Sequence, residues 1–200
     1  MLRWKSTRKW MKHVVLLGSL IGILPVTPDA WATEFNTLRP DLSRISFVYQ
    51  QMNVPVEGTF KRFNGWINFD PAKPALSKAQ IDISLASIDV GSDEGNDEVA
   101  GKLWFNTKAY PVARFVVSVV KPLGNNRFDV LGKMTIKGRT LDADAPVTFR
   151  QEGVNGVFDG AFVLRRADYG IGEGMWADFD TVANTVQIKF RLVASAAAKQ

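Results

Sequence analysis

The chain has 200 residues, 46% of them hydrophobic, with 25 Lys and Arg against 20 Asp and Glu and a formal net charge of +5. It holds no cysteine and one histidine, His13, which excludes disulfides, thiol chemistry, histidine metal sites and an imidazole-activated serine in the body of the chain. The basic residues are spread evenly instead of forming a stripe that could track phosphates, so nucleic acid is not an expected partner.

From the N-terminus, Arg3, Lys5, Arg8, Lys9 and Lys12 precede the apolar run Val14 to Val26 and the small-residue site Ala30-Trp31-Ala32. This is the pattern of a secretory signal peptide cleaved after Ala32. Gly18, Ser19, Gly22 and Pro25 interrupt the run, which falls short of the roughly 20 apolar residues of a membrane span. A start at Met11 would leave a more compact leader headed by Lys12 and His13. The expected division is a signal peptide at 1–32 and one exported domain at 33–200. Five basic residues and one acidic residue belong to the leader, so the exported domain carries a net charge of only +1. It is long enough for a core held by packing alone.

Beyond residue 32 the dominant period is two, the mark of strands with one buried face. Ile45, Phe47 and Tyr49 alternate with Arg44, Ser46 and Gln50, and a second strand spans 58–70. Ile81, Ile83 and Leu85 alternate with Asp82 and Ser84. Further strands are expected at 112–121, 126–137, 141–150 and 156–166, and Val186, Ile188, Phe190 and Leu192 form the last. Short turns at Leu123-Gly124-Asn125-Asn126, Lys137-Gly138-Arg139 and Glu152 to Gly156 join neighbours, which should therefore pair antiparallel. Eight strands in an up-and-down meander remove their edges by closing into a barrel able to hold one small ligand. Phe60 and Phe63 break strict alternation within 58–70 and mark a bulge or twist.

Two stretches interrupt the strands. Residues 91–111 read as a short helix capped near Asn96, with Val99 and Leu103 on its apolar face and Trp104-Phe105 following. Residues 167–184 hold Gly170, Gly172, Gly174, Met175, Trp176 and Phe179, a loop with bulky tips. Together they form a lid over the open end, with Trp104, Phe105, Met175 and Trp176 at the mouth. A long hydrocarbon suits the apolar space behind them better than a polar metabolite does. Asp168, Glu173, Asp178 and Asp180 offer paired carboxylates for acid–base catalysis or calcium, but without diagnostic spacing, and the simpler reading is solvated loop charges. An enzyme built on that acidic loop, or an outer-membrane β-barrel with the same alternation, are the alternatives. Lys61-Arg62, Lys137 with Arg139, and Arg165-Arg166 are candidates to meet a polar head group, against the plainer reading of solvated charges.

The run Gly58 to Pro71 resembles the G-x-F-x-x-F-x-G-x-I-x-F-D-P strand of the YceI-like family, and other segments agree in order. Ala86 to Gly91 is similar to its S-I-D-T-G turn, and Trp104-Phe105-Asn106 with Tyr110-Pro111 and Phe115 to its F-F-D, Y-P and F sequence. Leu131 to Gly138 resembles its G-x-L-T-I-x-G hairpin, and Arg166 with Asp168 to Gly172 its R-x-D-F-G-I-G. The resemblance implies an eight-stranded antiparallel, up-and-down lipocalin-like β-barrel of the Gram-negative periplasm. It implies a non-catalytic function: an apolar pocket holding an isoprenoid lipid or quinone for transport, storage or sequestration, with transient contact to an inner-membrane partner. No cofactor or metal is implied. The candidate ligand-lining residues are Phe47, Tyr49, Phe60, Phe63, Trp104, Phe105, Phe115, Met134, Met175 and Trp176. Many members carry histidines where this chain has Tyr49-Gln50-Gln51 and Asn96-Asp97-Glu98, so no role of those histidines carries over.

Overall fold

The computed structural model describes residues 34–196; the expected signal peptide at 1–32 lies outside the described residues. Alternating apolar positions build an antiparallel sheet. Its strands are β1 (Phe35–Leu38), β2 (Arg44–Gln51), β3 (Val54–Phe60), β4 (Phe63–Asn68), β5 (Lys78–Ser84), β6 (Ile88–Asp89), β7 (Val112–Gly124), β8 (Arg127–Ile136), β9 (Arg139–Glu152), β10 (Asn155–Arg165) and β11 (Thr185–Ala196). One helix, α1 (Asp93–Ala100), follows β6. Hydrogen bonding runs β4-β5-β7-β8-β9-β10-β11-β2-β3-β6, with β1 against β11.

The 11 strands differ from the expected eight because two long strands are each bent into halves and the short β1 adds a further piece beside β11. β3 and β4 are separated only by Lys61-Arg62, and β5 and β6 by the turn Leu85–Ser87. The bends are stitched to one another. Lys61 N–H donates to the Ser87 carbonyl at 3.0 Å, Ser84 N–H to the Arg62 carbonyl at 3.0 Å, and Arg62 N–H to Ser87 Oγ at 2.9 Å. The two ends of the hydrogen-bonded path are thus consecutive pieces of the same two strands, and the meander closes on itself as a barrel of eight staves. The break also resolves the irregular alternation in 58–70. Phe60 faces inward on even parity, Phe63, Ile67 and Phe69 on odd, and two residues outside the ladder absorb the change.

Hairpin loops of two residues hold the register. Ile136 pairs with Arg139 across Lys137 (φ 49°) and Gly138 (φ 76°), and Gln51 with Val54 across Met52 (φ 49°) and Asn53 (φ 62°). Positive φ at both loop positions matches the right-handed twist of the strands they join.

Outward positions carry ion pairs, among them Arg114–Asp82 and Lys133–Asp142, both 2.6 Å, and Arg191–Glu152 at 3.4 Å. A lipid-facing band of a membrane barrel would be apolar at such positions. Inside, one end is filled by aromatic rings. Phe69 lies 4.8 to 5.5 Å from Phe128, Phe149 and Phe158 between ring centroids, and Phe35 lies 5.5 Å from Phe149. Phe35 and Phe69 exchange backbone hydrogen bonds of 2.9 and 3.0 Å, so β1 ties this aromatic floor to the wall.

Two cross-strand pairs set a glycine directly opposite a phenylalanine, Gly58 against Phe47 and Gly160 against Phe190. A Cβ on Gly160 would come within 2.4 Å of the Phe190 ring and 2.9 Å of the Pro146 carbonyl. Gly160→Ala is expected to lower stability by about 1–3 kcal/mol through this overpacking, read as a drop in the urea midpoint with an unchanged slope.

Candidate functional site

Two apolar cavities lie inside the barrel, about 210 Å³ towards the lid and about 130 Å³ towards the aromatic floor. Five side chains border both: Ile45, Ile83, Met134, Phe162 and Ile188 form a common waist. An apolar cavity of roughly 150 Å³ suffices to bind benzene, so the pair offers elongated room for a hydrocarbon.

α1 and its following turn set one side of the mouth. Ser92 Oγ accepts from the Gly95 N–H at 3.1 Å and caps the helix. This corrects the expected cap at Asn96, whose Oδ1 instead accepts from the Val90 N–H at 2.8 Å and folds the entry strand onto the helix. The helix stops at Ala100, so Leu103 is not on its face. Leu103 is 39% exposed, and its carbonyl accepts from the Gly172 and Glu173 N–H groups, both at 2.9 Å, pinning the lid base. Trp104 and Phe105 follow and turn into the upper cavity.

The lid itself, 166–184, is organised by Arg166, which is 2% exposed. Its guanidinium donates to carbonyls only: Nε to Val182 and Ala183, Nη1 to Ile171 and Gly172, both at 2.9 Å, and Nη2 to Trp176 at 2.8 Å and Val182 at 2.7 Å. The Trp104 and Phe179 rings lie 5.8 and 5.3 Å from it. Burial pulls its pKa below the usual guanidinium range, yet a guanidinium stays charged in proteins. One planar group with five donors thus satisfies the carbonyls of a glycine-rich loop that makes little secondary structure of its own. Lys137 and Arg139 brace the loop from outside. Lys137 Nζ donates to the Gly170 carbonyl and, at 2.9 Å, to Glu173, while Arg139 Nη1 donates to the Asp168 carbonyl at 3.1 Å. Lys61 pairs with Asp89 at 2.7 Å. Arg166 and Lys137 are therefore neither free solvated charges nor available to a head group, whereas Arg139 stays exposed as a solvated charge.

Of the ten sequence candidates, Phe47, Tyr49, Phe60, Trp104, Phe105, Met134 and Trp176 border the upper cavity, and Phe115 and Met134 the lower. Phe63 and Met175 border neither. Phe63 packs against the core just past the bend, where the parity has changed. Met175 is 78% exposed on the outer side of the turn that sends Trp176 inward. Residues not singled out from the sequence as lining include the aliphatic wall at Ile136, Leu164, Ile171 and Val182, and Arg166, a candidate for a head group, instead closes the rim. Ile136 shares the inward parity of Met134 on β8, and Leu164 that of Phe162 on β10, so strand parity carries a signal for these two that aromatic character does not.

The acidic lid residues form no shared site. Asp178 closes a local turn, accepting from the Asp180 N–H at 2.9 Å and the Thr181 hydroxyl at 3.2 Å, and Glu173 pairs with Lys137. Among the described residues, no three His, Cys, Asp or Glu side chains gather as a metal site requires. The Lys137 hydrogen bond holds the Glu173 carboxyl below its ordinary 4.5. A lowered folded-state value means the pair supports the lid above that ordinary value and releases it as the pH falls through the folded one. Glu173→Gln should accelerate amide hydrogen exchange across 170–176 at neutral pH, and the difference from the parent should vanish as the pH falls through the lowered folded-state value and the wild-type carboxyl takes up its proton.

A family model described as the YceI-like domain matches residues 37–194. A UPF0312 protein of Pseudomonas putida strain W619 is 34% identical over 122 residues, and one of Pseudomonas syringae pv. syringae is 33% identical over 122. Each match spans 58% of this chain and 64% of the relative, so the chain aligns with less than two thirds of the length of these proteins. Among solved structures, BcnA of Burkholderia cenocepacia is 47% identical with a TM-score of 0.77, covering 79% of this chain and 99% of that one. A polyisoprenoid binding domain from Saccharophagus degradans, implicated in plant cell wall breakdown, shares the fold at 21% identity and a TM-score of 0.63, covering 82% and 99%. With an eight-stave barrel under a pinned lid and a family match over nearly all the described residues, the chain belongs to the family of YceI-like domains.

Proposed function

We propose that the protein is a non-catalytic periplasmic binding protein that holds the prenyl chain of an isoprenoid lipid, a polyprenyl phosphate or an isoprenoid quinone, in the barrel for transport, storage or sequestration. The observation that carries this reading is the pair of abutting apolar cavities, sharing a waist of four aliphatic side chains and Phe162. Hydrocarbon burial contributes about 0.8 kcal/mol per methylene, which over tens of carbons offsets the roughly 4–15 kcal/mol lost on association. The printed description of the Saccharophagus degradans domain as polyisoprenoid binding agrees, as does a leader of basic residues, apolar run and Ala-x-Ala site for export. Transfer to or from a membrane partner would proceed through the mouth between α1 and the lid.

Native mass spectrometry of the protein released from its own periplasm by osmotic shock tests both parts. A bound mass matching an isoprenoid lipid, extractable into organic solvent, is the expected result. A lipid-free protein that takes up neither polyprenyl phosphates nor prenylquinones overturns the ligand, and retention in the cytoplasm overturns the location.

A further inference from the structure

Trp104 is 9% exposed and walls the upper cavity, yet its indole Nε1 is buried without a hydrogen-bond partner among the described residues. An indole N–H only donates, and an unmet buried donor is destabilising and calls for an explanation. The ring that carries this donor walls the upper cavity, and solvent does not reach the nitrogen. The ring packed against it is Trp176, at 5.5 Å between centroids.

Trp176 is the movable piece. Its carbonyl is fixed by Arg166 at 2.8 Å, and the lid base is fixed by the Leu103 carbonyl, so the backbone around it is held on both sides. The side chain is held at its polar end by one exposed hydrogen bond, Nε1–H to Glu98 Oε1 at 2.7 Å, which bridges the lid and α1. Rotation of that ring would break this one hydrogen bond and leave the backbone contacts of the loop in place.

The surrounding charges set what the acceptor can be. Arg166 has every donor engaged by a carbonyl, Lys137 is taken by Gly170 and Glu173, and beside the neutral Tyr49 and Gln51 the remaining charge on the cavity lining is the carboxylate of Glu98. A phosphate would meet neutral donors only, the Trp104 N–H and the side chains of Tyr49 and Gln51, together with a negative charge. An uncharged oxygen would meet a donor it can satisfy.

We propose that Trp104 is the specificity-determining residue of the mouth. Once the Trp176 ring swings off Glu98, the Trp104 indole N–H takes an oxygen of an uncharged lipid head, such as a quinone carbonyl or a prenol hydroxyl, and the site discriminates against a phosphorylated head. This rests on the barrel holding a prenyl chain. It is tested with three probes of matched chain length, a headless isoprenoid hydrocarbon, a prenylquinone and a polyprenyl monophosphate, each partitioned onto delipidated protein. The quinone should bind at least tenfold more tightly than the monophosphate. Trp104→Phe should weaken the quinone about fivefold to tenfold, the size expected for one neutral hydrogen bond, and leave the hydrocarbon unchanged. In the unsubstituted protein labelled with 15N-tryptophan, the assigned Trp104 indole resonance should shift downfield with the quinone and not with the hydrocarbon. Equal or tighter binding of the monophosphate, or an indole resonance and a quinone-to-hydrocarbon ratio indifferent to the head, overturns the assignment while the barrel reading stands. Uptake of none of the probes overturns both.

Discussion

Replacing Arg166 with methionine is expected to destabilise the protein by about 3–5 kcal/mol, a larger effect than any surface charge change should produce. The side chain of methionine fills much of the same space, so the loss is mainly polar. Carbonyls of Ile171, Gly172, Trp176, Val182 and Ala183 lose their donors together, and each buried carbonyl left unmet costs about 1–3 kcal/mol before relaxation or entering water reduces it. Lysine should recover little, because a point ammonium cannot span carbonyls that the planar fork reaches on several sides at once. The damage should begin in the lid. Amide hydrogen exchange across 170–183 should accelerate well before that of β8 to β10, and the urea midpoint should fall for the whole domain. Persistent protection of the lid in the methionine variant would show that the Leu103 and Lys137 contacts suffice without the guanidinium.

The barrel was legible because its strands obey a strong rule. Ile45, Phe47, Ile81, Ile83 and the residues facing them across the ladder repeat every second position, and the turns between 123 and 156 use Gly, Asn and Lys where positive φ is required. The bends were not fully legible. Parity failure at Phe60 and Phe63 pointed to an irregularity, but only the contacts of Lys61 and Arg62 with Ser87 show two strands kinking together. Arg166 was the larger miss. Adjacent to Arg165 at a strand end, it reads as an ordinary solvated charge. Its task is set by carbonyls up to 17 residues away, and backbone acceptors leave no mark on local side-chain patterning. The available clue was indirect: Gly170, Gly172 and Gly174 make a loop with few means of satisfying its own carbonyls, and arginine supplies the most donors of any side chain.

The same distinction between pattern and contact decides how the cavities should respond to substitution. Met134 is 5% exposed on β8, opposite Phe115 and Leu141, and is one of the five residues of the waist. Met134→Trp should fill that waist at a stability cost of about 1–3 kcal/mol, less than complete overpacking because empty space lies on both sides. Its effect on binding should depend on chain length. A short prenol that fits above the waist should lose little affinity. A long-chain prenol, denied the lower cavity, would leave about four methylene equivalents in water, near 3 kcal/mol and thus more than a hundredfold in Kd. Overpacking that merely loosened the fold would weaken both probes alike, so the ratio of the two affinities, measured on variants whose circular dichroism and melting match the parent within the predicted cost, isolates the occupancy of the lower cavity from general damage. An unchanged ratio would mean that the chain lies wholly between the waist and Trp176, and that the space around Phe115 and Phe190 is a packing defect that the ligand never enters.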